Sequence, residues 1–490
     1  MGDGTPKKLE QMVSSIVNEI GIGSSGLMKP TVYDTAWLAR VPAEHDVNVL
    51  AFPEARDWLR QNQNRDGSWG AEVEYVHDRV ISTLATILAL ASWTGDGQDE
   101  RAIERGLRYI WARADRLEHE YETIGFEVIL PALLTQGRQL GLTLPGPAFD
   151  RYERMRDEKL AKIPKDILHS RNTTLAFSLE FMGDNLEIEG AEGLQESNGS
   201  VALSPSATAY FLTKWANNTA ARRYIADVAA VYGGKAPQVF PFDVFETAWS
   251  LWNLLLADLG YDRRFARHVK DLKVLWDKGQ GAGFSSIYSV ADADESAMVF
   301  RVLRLAGLEP DPDALYQFER EDYFVCYSFE RNPSTSANIH ILEALKGLDA
   351  HRTEKVVKWL RSTQVDASYW VDKWHASPYY PTAHAVIALI GTDHDLAQLA
   401  VRWILDTQRP DGCWGHYNEA TTEETAYCLQ ALSMYDRYVA SIDREVLDRG
   451  RNGLLSCAGK LPALWIGKCL YTPVRVVMST ICSALAMTMP

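Results

Sequence analysis

The 490-residue sequence predicts an all-α protein, with helical hairpins stacked into α/α barrels. Three observations predict it. Apolar residues recur at helical spacing nearly throughout, convincing strand alternation is scarce, and one short motif returns along the chain. The run from Val80 to Ala91 is apolar, with small residues at close-approach spacing, and reads as a buried helix. Similar segments begin near Ala207, Val244, Ala297, Asn338, Thr382 and Thr425. The motif is Gln63-Asn64-Arg65-Asp66-Gly67-Ser68-Trp69-Gly70, and it returns as Gln408-Arg409-Pro410-Asp411-Gly412-Cys413-Trp414-Gly415. Residues 195–200 form a weaker copy, and residues 364–370 a degenerate one.

Each copy follows a helical segment and precedes a helix rich in small residues. Its Asp-Gly or Asn-Gly pair supplies a tight turn with positive φ. The Gln amide can bond free backbone groups at a helix end, and the Trp can cover the joint. Such joints between helices specify stacked hairpins, whose simplest closed form is an α/α barrel. At about 150 residues per domain the length suggests roughly three domains, and two large barrels fit as well. No Gly/Ser or Pro linker divides it, and residues 187–200 read as a polar loop.

Hydrophobic residues make up 46% and charged residues 23%, which excludes wholesale disorder, a collagen-like chain and a disulfide miniprotein. The net charge of −15 lacks the basic footprint of a nucleic-acid binder. An anionic substrate would need a few placed cations or a metal ion. Six cysteines without a CxxC pair form no disulfide framework and fit a reducing cytoplasm. No stretch reaches 18 consecutive apolar residues, and the first eight residues lack the apolar region of a signal peptide.

Asp292-Ala293-Asp294-Glu295 precedes an apolar helical run. The plain reading is an acidic helix N-terminus, favoured by the macrodipole. The chemical reading is that three crowded carboxylates raise one pKa, so that a neutral carboxylic acid persists near pH 7. Kept away from water, such a group is strong enough to protonate an isolated alkene.

This quartet resembles the DxDD motif of class II terpene cyclases, and the Gln…Trp motif resembles the QW repeats of that superfamily. Further segments resemble the copalyl diphosphate synthase type: Tyr33-Asp34-Thr35-Ala36-Trp37, Gly125-Phe126-Glu127, Lys162-Ile163-Pro164, Thr173-Thr174-Leu175, residues 204–209 and residues 240–246. They run in the family's order from about residue 30 to about 475. The resemblance implies two barrels with the active site between them. A γ domain over 52–260 is inserted into a β domain made of 1–51 and 261–490. The β domain carries the acidic motif.

By resemblance Asp294 is the general acid, and Asp292 and Glu295 hold it in its protonated form. Glu295 stands where the family usually has Asp. An added methylene moves a carboxylate by about 1 Å, enough to alter the rate. Natural variation and an attenuating change both fit it. Ser336 and His340 lie four apart on one helix face, where family members hydrogen-bond the acid. Glu127 matches an acidic position linked to Mg²⁺ and diphosphate. Lys159 and Lys468 are the candidates for binding the substrate's diphosphate. Trp249, Tyr323 and Trp374 are candidate cavity aromatics, able to stabilise cations; core packing is the alternative use for each. The His–Asn pair that steers deprotonation in plant relatives corresponds to Phe177 and Gln238, so the terminating step stays open.

The implied reaction converts geranylgeranyl diphosphate to a bicyclic copalyl-type diphosphate, or farnesyl diphosphate to drimenyl diphosphate. Neither the Asp-rich DDxxD motif of the class I synthases nor its Asn/Ser/Glu partner motif is present, so the product is expected to keep its diphosphate. A class I synthase or a phosphatase would act downstream. Remoter readings are a squalene-type triterpene cyclase, a Zn²⁺-dependent prenyltransferase subunit, and an inactive cyclase-like partner of a prenyltransferase.

Overall fold

The computed structural model describes residues 5–489, apart from 47, 94–96, 118–120, 147, 188, 261, 329, 331, 458 and 460. The repeated motif builds the joints expected of it. Trp69 Nε1 donates to Leu59 O at 2.8 Å, and Trp414 Nε1 donates to Ile404 O at 2.7 Å. Each indole thereby satisfies a carbonyl near the C-terminal end of the preceding outer helix. The Gln amides reach two ways. Gln63 Nε2 donates to Gly67 O and to Ala102 O of the next outer helix, and Gln408 Nε2 donates to Gly412 O and Val446 O. Gly412 has φ +84°, and a Cβ there would sit 2.5 Å from Arg449 O, so glycine is required twice over. The degenerate copy keeps its tryptophan bond, Trp370 Nε1 to Leu360 O at 2.8 Å. Its Gln364 amide nitrogen finds no partner among the described residues.

These joints stack the helices into two closed rings. In the first ring, Val32–Leu38, Val76–Ala91, Phe126–Gln139, a 3₁₀ stretch Thr174–Met182 and Pro205–Lys214 pack in succession, and the last meets the first. In the second, Asp243–Leu256, Ala293–Leu305, Thr335–Leu345, Tyr379–Leu389, Thr422–Tyr438 and Val474–Thr488 do the same. Amphipathic helices form the outer layers. Arg263–Trp276, for example, buries Phe265, His268, Val269, Leu272 and Trp276, one stripe at helical spacing. Inner helices are more fully buried, and every residue of Thr335–Leu345 is buried.

The N-terminal helix Thr5–Glu19 packs on Val474–Thr488, so the first barrel is inserted into the second. The boundaries differ from those expected. Val32–Leu38 closes the first ring and Asp243–Leu256 belongs to the second, so the divisions at 51/52 and 260/261 each fall beyond a helix that the other barrel buries. Both segments are buried on every side, so their burial pattern does not say which ring closes around them.

A single two-stranded sheet among the described residues joins the barrels. Trp465–Ile466 pairs antiparallel with Leu470–Tyr471, placing Trp465 opposite Tyr471. Its turn enters the first barrel, where Ile124 N donates to Gly467 O at 2.7 Å and Leu470 N to Asp78 Oδ1 at 3.1 Å.

Candidate active site

The acidic quartet folds as a capped helix start. Asp292 is the N-cap of Ala293–Leu305, and its Oδ1 accepts from Glu295 N at 2.9 Å. Its Oδ2 accepts from the Tyr327 hydroxyl at 3.1 Å. Asp292 is fully buried, whereas Asp294 and Glu295 each keep 8% of their surface, so Asp292 cannot touch a substrate.

Burial pushes Asp292 up to about 6. It drives Glu295 well above the usual carboxylate range, with the Asp292 charge adding to the effect. Both shifts favour a proton retained on this buried pair. Asp294 has a different partner. Its Oδ1 lies 2.5 Å from His340 Nδ1, and His340 Nε2 lies 2.8 Å from His384 Nδ1.

Aromatic rings enclose this chain. Trp249 stands edge-on to His340 at 5.7 Å, and Tyr380 lies 6.4 Å from His340. Trp465 packs against Phe245 at 5.4 Å and against Tyr380 at 4.9 Å. Tyr471 is close enough that Glu295 and Asp294 add to the upward push of burial on its phenol. Phe177 of the first barrel faces Phe284 of the second at 6.4 Å. Ser289 of the second barrel donates to Glu196 of the first at 2.7 Å. Asp294 therefore sits where the barrels meet, in a largely apolar, aromatic setting.

The family described as squalene-hopene cyclase C-terminal domain matches residues 331–434, which include His340, His384 and the second full motif. A type B diterpene cyclase of Mycobacterium tuberculosis is 36% identical over 93% of this chain and 95% of its own. The chain belongs to the class II diterpene cyclases. An ent-copalyl diphosphate synthase from a Streptomyces species is 32% identical over 98% of the chain and 96% of its own length. Among solved structures, ent-copalyl diphosphate synthase from Streptomyces platensis superposes with a TM-score of 0.77. Identity is 30%, with 98% of this chain and 99% of that one covered. Membership makes the chain an isomerase-type enzyme and agrees with the two-barrel fold.

Within this cyclase, several expected residues sit elsewhere. Ser336 does not reach the acid: its hydroxyl donates to Asp372 Oδ2 at 2.6 Å. Asp372 also accepts from Thr335 N at 2.8 Å, so it caps the helix that carries His340. Ser336 and His340 share a helix, but Ser336 lies in the first turn, within reach of that cap. Lys468 has its charge engaged within the protein. It is wholly buried, with Nζ within 2.8 Å of Phe177 O, Glu180 Oε1, Ser204 Oγ and Ser206 Oγ. Tyr323 packs on Trp359 of the outer helix Ala350–Thr363 at 5.8 Å, away from the acid. Trp249 stands beside His340, and Trp374 lies 6.1 Å from Tyr327, the partner of Asp292. Asp292 accepts from the Glu295 backbone N–H, while the described hydrogen bond of Asp294 is to His340.

Glu127 and Lys159 meet each other, Nζ to Oε1 at 2.5 Å. Among the described residues no cluster of three metal-ligating side chains occurs. No helix among them is long and apolar enough to cross a membrane.

His384, Trp465, Tyr471 and Tyr327 were not singled out from the sequence. A signal for His384 existed: like His340, it is the sixth residue of an eleven-residue inner helix, at the same register of the stacked repeat. Trp465 and Tyr471 carry no local signal, because only the hairpin brings them to the acid.

The Asp292–Glu295 pair has a measurable consequence. Both folded-state pKa values are raised, so folding takes up protons. The stability linked to this uptake is complete below the unfolded value of about 4.3. It is lost as pH rises through about 6 for Asp292 and further for Glu295. Glu295→Gln keeps a donor but removes one titration. Its melting temperature is expected to fall less steeply than the parent's between pH 5 and 8; parallel slopes would show that Glu295 carries no raised pKa.

Proposed function

We propose that the enzyme converts geranylgeranyl diphosphate to a bicyclic copalyl-type diphosphate. The observation that carries this reading is the state of Asp294: one oxygen is held by His340, and the residue keeps surface at the barrel boundary amid aromatic rings. In its acid form Asp294 gives its O–H proton to the terminal alkene carbon. The π electrons form the new C–H bond and leave a tertiary cation. Successive alkene π bonds close two rings, and loss of a C–H proton ends the cascade. The C–O bond to diphosphate is untouched. Trp249, Trp465 and Tyr471 present π faces near this path, suited to cations.

The C20 substrate is supported by the relatives. The most similar ones named here are a diterpene cyclase and an ent-copalyl diphosphate synthase. An ent-copalyl diphosphate synthase from Arabidopsis thaliana was solved with (S)-15-aza-14,15-dihydrogeranylgeranyl thiolodiphosphate. It matches with a TM-score of 0.72 and 25% identity over 98% of this chain and 63% of that one.

Incubation with C15 and C20 diphosphates, followed by mass spectrometry with and without phosphatase, tests the reading. A bicyclic C20 alcohol released only by phosphatase is expected. A drimane-type C15 alcohol alone would reassign the substrate, and a hydrocarbon without phosphatase would overturn retention of the diphosphate.

Mg²⁺ is what the family resemblance implies, but these residues do not make a resident site for it. Among the described residues Glu127 is the carboxylate that the resemblance places for it, and Lys159 already engages that carboxylate. No step is routed through the ion. Lys159 keeps 37% of its side-chain surface and can turn to a diphosphate. Lys159→Met is expected to raise KM about tenfold with kcat little changed, measured by steady-state kinetics. An unchanged KM would remove Lys159 from substrate binding.

A further inference from the structure

His340 touches the acid, but nothing in His340 itself decides whether its Nδ1 donates to Asp294 or accepts from it. The two cases are chemically opposite. If Nδ1 carries the hydrogen, Asp294 Oδ1 accepts, and the acid proton resides on the other oxygen, free for the alkene. If Nδ1 is bare, the Asp294 proton points at His340 and is withheld from the substrate. We propose that His384 is a positioning residue that imposes the first arrangement by donating its Nδ1–H to His340 Nε2. The proposal deepens the cyclase reading and rests on it.

The argument is a hydrogen-bond count. His384 is buried, and its contact with His340 Nε2 is 2.8 Å. Its other nitrogen, Nε2, has no partner among the described residues. Burial, reinforced by His340 and His375, holds His384 well below the ordinary imidazole range, so it is neutral and has one N–H. Placing that hydrogen on Nε2 would orphan a buried donor, which folded proteins rarely tolerate. Placing it on Nδ1 leaves only a bare lone pair unpaired. The second choice makes His384 the donor and His340 Nε2 the acceptor. With Nε2 accepting, the ring hydrogen of His340 lies on Nδ1, aimed at Asp294 Oδ1 2.5 Å away. After proton transfer the same N–H stabilises the Asp294 carboxylate.

The ring cannot rotate out of this role. Trp252 stacks on His384 at 4.7 Å, and Tyr380 and Tyr427 flank it at 4.4 and 5.6 Å. The ionisable groups facing the pair are Asp294 from Ala293–Leu305, Glu343 from its own helix, Glu423 and Tyr427 from Thr422–Tyr438, and Tyr380 and His375. Of these, His375 contacts Glu423 at 3.4 Å, and Glu343 is engaged by Arg301 at 2.8 Å.

Two variants separate positioning from packing. His384→Phe keeps the stacked ring and loses the N–H; His384→Asn keeps an amide donor. With ¹⁵N-labelled histidine, the parent protein is expected to show His340 protonated at Nδ1 and bare at Nε2. His384→Phe is expected to mix the tautomers and to lower kcat about 10- to 100-fold at constant KM. His384→Asn is expected to restore most of both. A parent His340 protonated at Nε2, or a folded His384→Phe with unchanged tautomer and kcat, would overturn the proposal. Should His384→Phe not fold, the parent spectrum and the Asn variant decide. A parent with the expected tautomer but no turnover of prenyl diphosphates would sink the cyclase reading and leave the hydrogen-bond assignment standing.

Discussion

Asp294→Asn is expected to lower kcat by about 10³- to 10⁴-fold while leaving the fold intact. Asparagine is nearly isosteric, and its Oδ1 can still accept from His340 Nδ1, so the local geometry has no reason to change. What disappears is the one O–H able to protonate an alkene. Because Asp292 is fully buried and Glu295 is tied to it, neither can substitute. Single-turnover kinetics with the C20 diphosphate, beside a melting curve, separates the outcomes. A loss of less than tenfold with an unchanged melting temperature would place the acid elsewhere.

Lys468→Met is expected to act in the opposite way, through stability. Removing the cation leaves Glu180 buried without its charge partner, since the two are in contact at 2.8 Å with neither side chain exposed. Breaking a buried pair on one side costs about 3–5 kcal/mol. The Ser204 and Ser206 hydroxyls and Phe177 O lose a donor as well. The Lys468 turn anchors the hairpin that brings Trp465 and Tyr471 to the acid, so the first barrel and the hairpin should loosen together. Urea unfolding is expected to show a lower midpoint, with KM unchanged in the protein that stays folded. A normal midpoint with a raised KM would instead restore Lys468 as a diphosphate ligand.

The contrast between these two residues shows what could be read in advance. Asp294 was legible because its signal is local: three carboxylates in four residues at a helix start form an unusual electrostatic arrangement whatever surrounds it. His340 was legible through its position on the same resemblance, and the structure places it 2.5 Å from the acid. Ser336 was legible only as a face partner of His340. A helix face does not say which of its turns meets the acid and which meets a cap, and Asp372, 36 residues away, took the serine. Lys159 and Lys468 read alike as lone cations. One keeps surface, and the other is enclosed by four acceptors.

By itself the sequence determined the fold class, the joints and the acidic quartet at a helix start. Helical period, a glycine that must take positive φ, and a Gln–Trp pair that satisfies helix ends all act within a few residues of themselves, so they can be read without knowing the partner. The tertiary structure alone decided where each ring closes, which lysine is a strut, and that His384, Trp465 and Tyr471 stand at the acid. Those outcomes depend on groups more than forty residues apart that meet only when six helices close a ring. The desolvation that gives such meetings their chemical force does not exist until that ring is shut.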